Sequence, residues 1–328
     1  MKKRIRKISG FGIVVAAVLL INACQKKEAA TTATPDTSTT SATDNNTAET
    51  RNTEINNIGS TAIENNGNTG SMNNLKSRTP GIFTPQSGSV TITGDSSNRI
   101  FTVTFVAFTG PDNILRNGTI VFDYSSSYAK AHWYRDSGLV LNVTTPGNTY
   151  TVAGSTVEIN NKTIRNMGRI SGGDLTWKDS SNITIVPSGG GSNILWNCSR
   201  TTILLNTNAY TFTADDGSSG TTNYPAVFHG YGGGLANCIN WPQAILSFSG
   251  AFAGTASDGE VYTGSVSSGT PLILNFNCTP QYTRFMYVSG VLSFTPTGKL
   301  TRTINYGSGT CDLTFNIAIG PWNTNITL

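Results

Sequence analysis

The sequence predicts an all-β fold: an antiparallel meander of many short strands forming a sandwich or curled sheet, preceded by a disordered tether. Three observations predict it. Only 12% of the 328 residues are charged, Gly reaches 35, and Thr, Ser and Asn crowd the chain. A helical bundle or coiled coil needs far more Ala, Glu, Lys and Leu. Past Pro80 the chain turns to short apolar–polar alternations, the pattern of half-buried strands. Turn signals rich in Gly, Asn and Pro separate these runs. No segment past the N-terminal apolar run carries a convincing 3.6-residue period.

Residues 1–23 read as a secretory signal. Lys2, Lys3, Arg4, Arg6 and Lys7 precede an apolar run from Phe11 to Ile21, and a small residue, Ala23, stands before Cys24. The run is about 11 residues, short of the roughly 20 that a permanent transmembrane helix needs. Leu20-Ile21-Asn22-Ala23-Cys24 resembles the lipobox of bacterial lipoproteins. That resemblance implies a diacylglycerol on the Cys24 thiol, cleavage before it, and acylation (palmitate) of the new amino group. The competing reading is a signal cleaved elsewhere with Cys24 an ordinary thiol. Against it, the cysteine sits where the apolar run ends and a polar tract begins. Each buried methylene contributes about 0.8 kcal/mol, so two or three acyl chains hold a protein on a bilayer effectively permanently. Gln25 after the cysteine is compatible with an outer-membrane destination. Removing the five cations of the signal turns the net charge of +4 into −1. No basic surface is left for nucleic acid, so that class of partner is excluded.

The segment 24–79 has no aromatic residue and only scattered Ile55, Ile58, Ile63, Met72 and Leu75. Such a composition is expected to stay disordered, because it cannot bury enough apolar surface to offset backbone entropy. A flexible spacer of about 55 residues would span roughly 40 Å and lift a folded domain off the headgroups.

The all-β domain is expected over 80–328. Phe101, Val103 and Phe105 fall on one face of Ile100–Val106, and Thr119–Tyr124, 209–212, 244–248, 271–276 and 313–319 repeat the alternation. The last forty residues read as consecutive hairpins: Val288–Phe294 outward, a turn at Gly298, Leu300–Tyr306 back, a turn at Gly307-Ser308-Gly309, then 313–319 and 323–328. A transmembrane barrel would need strands of about 9–11 residues with aromatic girdles. The short strands carry polar residues on many faces, and a lipid anchor on a barrel would be redundant.

The stretch Gly290-Val291-Leu292-Ser293-Phe294…Thr301-Arg302-Thr303-Ile304-Asn305-Tyr306-Gly307-Ser308-Gly309-Thr310-Cys311-Asp312 resembles a group of uncharacterised Bacteroidota lipoproteins with a C-terminal Y-G-x-G-x-C-D hairpin. Cys278 matches the cysteine that ends the preceding strand of that pattern, and Cys311 matches its second. Ser308 stands where that group carries Asp, and Leu313 where it carries Asn. The resemblance implies an envelope location and an all-β fold; it implies no activity.

After Cys24, the cysteines Cys198, Cys238, Cys278 and Cys311 remain, an even number suited to two disulfides with three possible connectivities. Unpaired thiols are the second reading. A metal site is disfavoured, because no C-x-x-C pair occurs. His132 and His229 are the two histidines, and no G-x-S-x-G elbow accompanies either. Asp215, Asp216, Asp258 and Glu260 are the candidates for a glycosidase carboxylate pair. All lie within two residues of a Gly, where Asp serves its own turn, and that reading is the stronger. Calcium at Asp215-Asp216-Gly217 lacks a second ligand set. Of Trp133, Trp177, Trp196, Trp241 and Trp322, most are expected in the core. Trp133 with Tyr134, or Trp322 in the last turn, are the candidates for an exposed ligand contact.

The expectation is therefore a non-enzymatic protein without cofactor or metal, anchored by lipid to the bacterial outer membrane, with a binding or structural role. A glycan or another surface protein is the expected partner besides the membrane. A polysaccharide-acting or glycan-binding protein is the alternative.

Overall fold

The computed structural model describes residues 36–64, 85–95, 98–127, 138–169, 175–205, 212–213, 221–222, 245–275, 278, 287–312 and 314–327. A helix, α1 (Thr40–Glu64), precedes strands β1 (Ser87–Asp95), β2 (Ile100–Thr109), β3 (Leu115–Asp123), β4 (Val140–Thr144), β5 (Thr151–Val152), β6 (Ser155–Arg169), β7 (Leu175–Val186) and β8 (Ile194–Leu204). The second half holds β9 (Phe212–Thr213), β10 (Thr221–Thr222), β11 (Ile245–Thr255), β12 (Val261–Val266), β13 (Leu272–Asn275), β14 (Tyr287–Pro296), β15 (Arg302–Ser308), β16 (Thr314–Ile319) and β17 (Trp322–Thr327).

Fifteen of these strands form one antiparallel sheet in the order β1-β2-β3-β4-β6-β7-β8-β11-β12-β14-β15-β16-β17. β5 extends the position of β4 between β3 and β6, and β13 shares with β12 the place between β11 and β14. β9 and β10 pair separately. The expected meander is present, as one curled sheet.

Period-two burial drives it. In β8, Ile194, Trp196, Cys198, Arg200, Thr202 and Leu204 all point inward while their neighbours face out. Phe101, Val103 and Phe105 are buried on one face of β2, as the alternation requires. The chain Phe248–Tyr287–Tyr306–Phe315 crosses β11, β14, β15 and β16 with ring centroids 5.3–5.6 Å apart. The C-terminal hairpins fall where the sequence places them, with Gly298 (φ 74°) at the first reversal, a conformation that side chains resist.

The N-terminal half of the expectation needs correction. Residues 40–64 lie inside the segment read as a disordered linker (24–79), yet they form a 25-residue helix. The rest of that segment, 24–35 and 65–79, lies outside the described residues. Residues from Thr37 onward form one unit with the sheet, so the domain begins well before residue 80. The helix is not made by its own propensity. It is rich in Asn, Thr and Ser, which favour caps and turns over helix interiors. Burial makes it: Ala42, Ala48, Ile55 and Ile58 are at most 1% exposed, and so are Ser41, Asn45 and Glu49. Side chains from β3, β6, β7, β8, β14 and β15 reach it, so the sheet curls around the helix. Gly59 permits the approach to β3, since a Cβ there would lie 2.6 Å from the Phe122 ring.

One disulfide, Cys278–Cys311, joins residues 33 apart with Cα atoms 5.2 Å from each other. It ties the segment before β14 to the β15–β16 connection. Cys311→Ser is expected to lower stability by roughly 3–4 kcal/mol on the loop-entropy account. The check is the urea midpoint of oxidised parent and variant; equal midpoints would contradict it. The second expected bridge is not formed through Cys198, which is a free, buried thiol. The inward phase of β8 explains this, because it directs Cys198 into the core beside Arg200 and Asp179. Cys238 lies outside the described residues.

Candidate functional site

Four cations occupy inward positions on the sheet, in phase with its apolar side chains. Arg116 on β3 follows the parity of Ile120 and Phe122, Arg200 on β8 that of Trp196 and Cys198, and Arg302 on β15 that of Ile304 and Tyr306. Lys162 on β6 is likewise buried beside Ile164. A charge cannot be left in such a place without a partner. The helix supplies much of what they need.

Along one stripe of α1, Asn45, Glu49, Asn52 and Asn56 face β6, β7 and β8. Asn45 Oδ1 accepts from Trp196 Nε1 at 3.0 Å. Glu49 pairs with Arg200 and accepts from the Tyr287 hydroxyl at 3.4 Å. Lys162 Nζ donates to Asn52 Oδ1 at 2.7 Å, to both Asp179 oxygens at 2.8 Å and to Ser181 Oγ at 2.8 Å. Asn52 and Asn56 each donate to Asp179 Oδ2 at 3.0 Å. Other faces of the helix are held as well. Glu54 accepts from Arg116 Nε at 2.6 Å and from Tyr150 at 3.1 Å, while Arg116 forks onto Asp112. Asn46 accepts from Tyr306 at 3.0 Å, and Asp44 accepts from the Ser257 amide and hydroxyl at 2.7 Å. At the entry to the helix, Arg302 donates to the Ser38 carbonyl at 3.3 Å.

The carboxyls respond differently to this enclosure. Burial pushes Glu49 up to about 7, against the opposing pull of Arg200. For Glu54, burial works in the same direction, but Arg116 and Arg51 outweigh it and hold the group below its usual range. Lys162, Asn56 and Ser181 do the same for Asp179. The signs on stability follow. Glu54 and Asp179 contribute stability above their unfolded pKa values, lost as pH falls through their depressed folded values. Glu49, with its raised folded value, contributes stability below its unfolded value of 4.5 that is lost as pH rises toward 7. Glu49→Gln is therefore expected to lose less stability than the parent as pH rises from 4.5 to 8. Urea unfolding of both proteins at the two pH values reads this gap, and a constant gap would contradict it.

A cavity lies beside the C-terminal half of α1, lined among others by Thr53, Asn56, Asn57, Trp177, Asp179 and Phe248. Its carboxylate is already engaged, with Lys162, Ser181, Asn52 and Asn56 all donating to Asp179.

The residues singled out in the sequence scatter. Cys24, Trp133, Tyr134, Cys238, Trp241, His132, His229, Asp215 and Asp216 lie outside the described residues. Asp258 serves its turn, accepting from the Glu260 amide at 3.0 Å. Glu260 is paired with Lys299 and Arg302. Trp177 and Trp196 are core residues. Trp322, a candidate exposed contact, is half-buried and packs against the core, because the last hairpin folds it onto the sheet. Among the described residues no group of three or more His, Cys, Asp or Glu is placed to hold a metal ion, and no helix is long and apolar enough to cross a membrane. The helix seat was not foreseen; the inward phase of Arg200 in Ile194–Leu204 was the signal that could have found it. Comparison with protein-family models, curated proteins and solved structures finds no match to this chain.

Proposed function

We propose that this is a lipid-anchored protein of the bacterial outer membrane, held through Cys24, whose curled-sheet domain has a non-enzymatic binding or structural role. The observation that supports the reading best is the occupation of the concave face. A curled sheet takes a small ligand on its inner face; here α1 fills that place and pairs with its charges. Recognition of a partner then falls to the outer face and the sheet edges, with a surface protein or glycan as the partner class. Asp258 and Glu260, engaged in a turn and in ion pairs, lend no support to the polysaccharide-acting alternative.

The test is metabolic labelling with palmitate followed by intact-mass analysis. The parent is expected to take up label and to begin at Cys24 with its acyl chains attached. Cys24→Ser is expected to lose the label and leave the membrane fraction. An unlabelled parent that starts at another residue would overturn the reading.

A further inference from the structure

The contact between α1 and the sheet is built like a complex between two partners. It surrounds the helix: Asp44 meets the turn after β11, Asn46 meets β15, Glu49 and Asn45 meet β8, and Glu54 meets β3. Successive helical residues are 100° apart, so these contacts point to several sides of one cylinder. The helix contributes amide and carboxylate groups, and the sheet contributes Arg, Lys, Tyr and Trp donors. The dependence is sharpest at Arg200. Its Nη2 pairs with Glu49, while its Nε and Nη1 find no acceptor among the described residues, and the Trp196 and Phe252 rings lie 5.9 and 5.6 Å away. By contrast, Arg116 and Lys162 keep partners outside the helix, Asp112 in the β2–β3 turn and Asp179 on β7.

We propose that the concave face is a binding site for an Asn/Glu-rich helix, whose occupant is residues 37–64 of this chain, held without need of the covalent link through residues 65–84. The helix is the ligand that folds on seating, since its composition gives it little helical stability alone. Glu49 is the residue that selects it, because an occupant without an acid there leaves Arg200 buried and unpaired. One consequence rests on the proposed anchor at Cys24: a cut between 65 and 84 would leave the domain on the membrane, held through α1.

The experiment uses the full chain with a protease site inside an added Gly/Ser loop of about 30 residues, placed between residues 65 and 84, so that the protease has access. After cleavage, the helix-bearing fragment and the sheet fragment are expected to co-elute in native buffer at micromolar concentration and to part in urea. With Glu49→Ala in the same protein, the fragments are expected to dissociate at least about tenfold more readily. Separation of the fragments in native buffer, precipitation on cleavage, or an unchanged affinity in Glu49→Ala would each overturn the proposal. Palmitate labelling of the uncut chain reads the anchor separately. Co-elution without label leaves the helix site standing and removes the anchor; label with separation does the reverse.

Discussion

A chain lacking residues 37–64 is expected not to fold into the native sheet. The deletion takes Glu49 from Arg200, Glu54 from Arg116 and Asn52 from Lys162, and these cations are at most 3% exposed. Removing one partner of a buried ion pair costs about 3–5 kcal/mol. Emptying the places of Ile55 and Ile58, which are at most 1% exposed, adds about 2–5 kcal/mol for each side chain. Together these losses are of the same order as the 5–15 kcal/mol by which a domain is ordinarily stable. Near-ultraviolet circular dichroism of the deletion protein is expected to lose the aromatic signal of the core, with the protein aggregating or unfolded. A deletion protein with the parent's spectrum and melting temperature would show that α1 is dispensable.

The second large effect is expected at Lys162. Its ammonium is fully buried and donates to four oxygens, among them both oxygens of Asp179. Lys162→Met leaves Asp179 as an uncompensated buried carboxylate, at a cost of about 3–5 kcal/mol near neutral pH. The deficit should shrink at acid pH. Without the ammonium that now depresses it, Asp179 would take up its proton at higher pH and cease to be a charge. Lys299→Ala is the contrasting case, because Lys299 is 41% exposed and its pair with Glu260 is partly in water. There the loss is expected to stay below about 1 kcal/mol. Urea unfolding of both variants at pH 7 and pH 5 measures the difference; similar losses would contradict it.

These effects also show which parts of the fold were legible in the sequence. Strands were legible wherever one face is apolar: Phe101, Val103 and Phe105 marked β2, and the turns at Gly298 and Gly307–Gly309 marked the last hairpins. The helix was not, because its seat is charged. A search for an amphipathic helix looks for apolar residues at a period of 3.6. The stripe that faces β6–β8 is instead Asn45, Glu49, Asn52 and Asn56, which reads as a solvated face. What betrays it sits elsewhere in the chain, in a cation such as Arg200 that keeps step with Ile194, Trp196 and Cys198. A charge in that phase requires a counter-charge inside the fold. The acidic residues within the apparently featureless segment 40–64 are where it comes from. Cysteine counting suggested bridges without saying which cysteines pair, and one forms between Cys278 and Cys311. It failed at Cys198, because an even count carries no information on which way a strand turns each thiol.

Amide hydrogen exchange on the intact chain measures directly whether α1 is core rather than tether. Amides of residues 44–58 are expected to exchange as slowly as those of the central strand β8, through the same global opening. Exchange of that segment at the rate of an unstructured peptide, with β8 still protected, would contradict it.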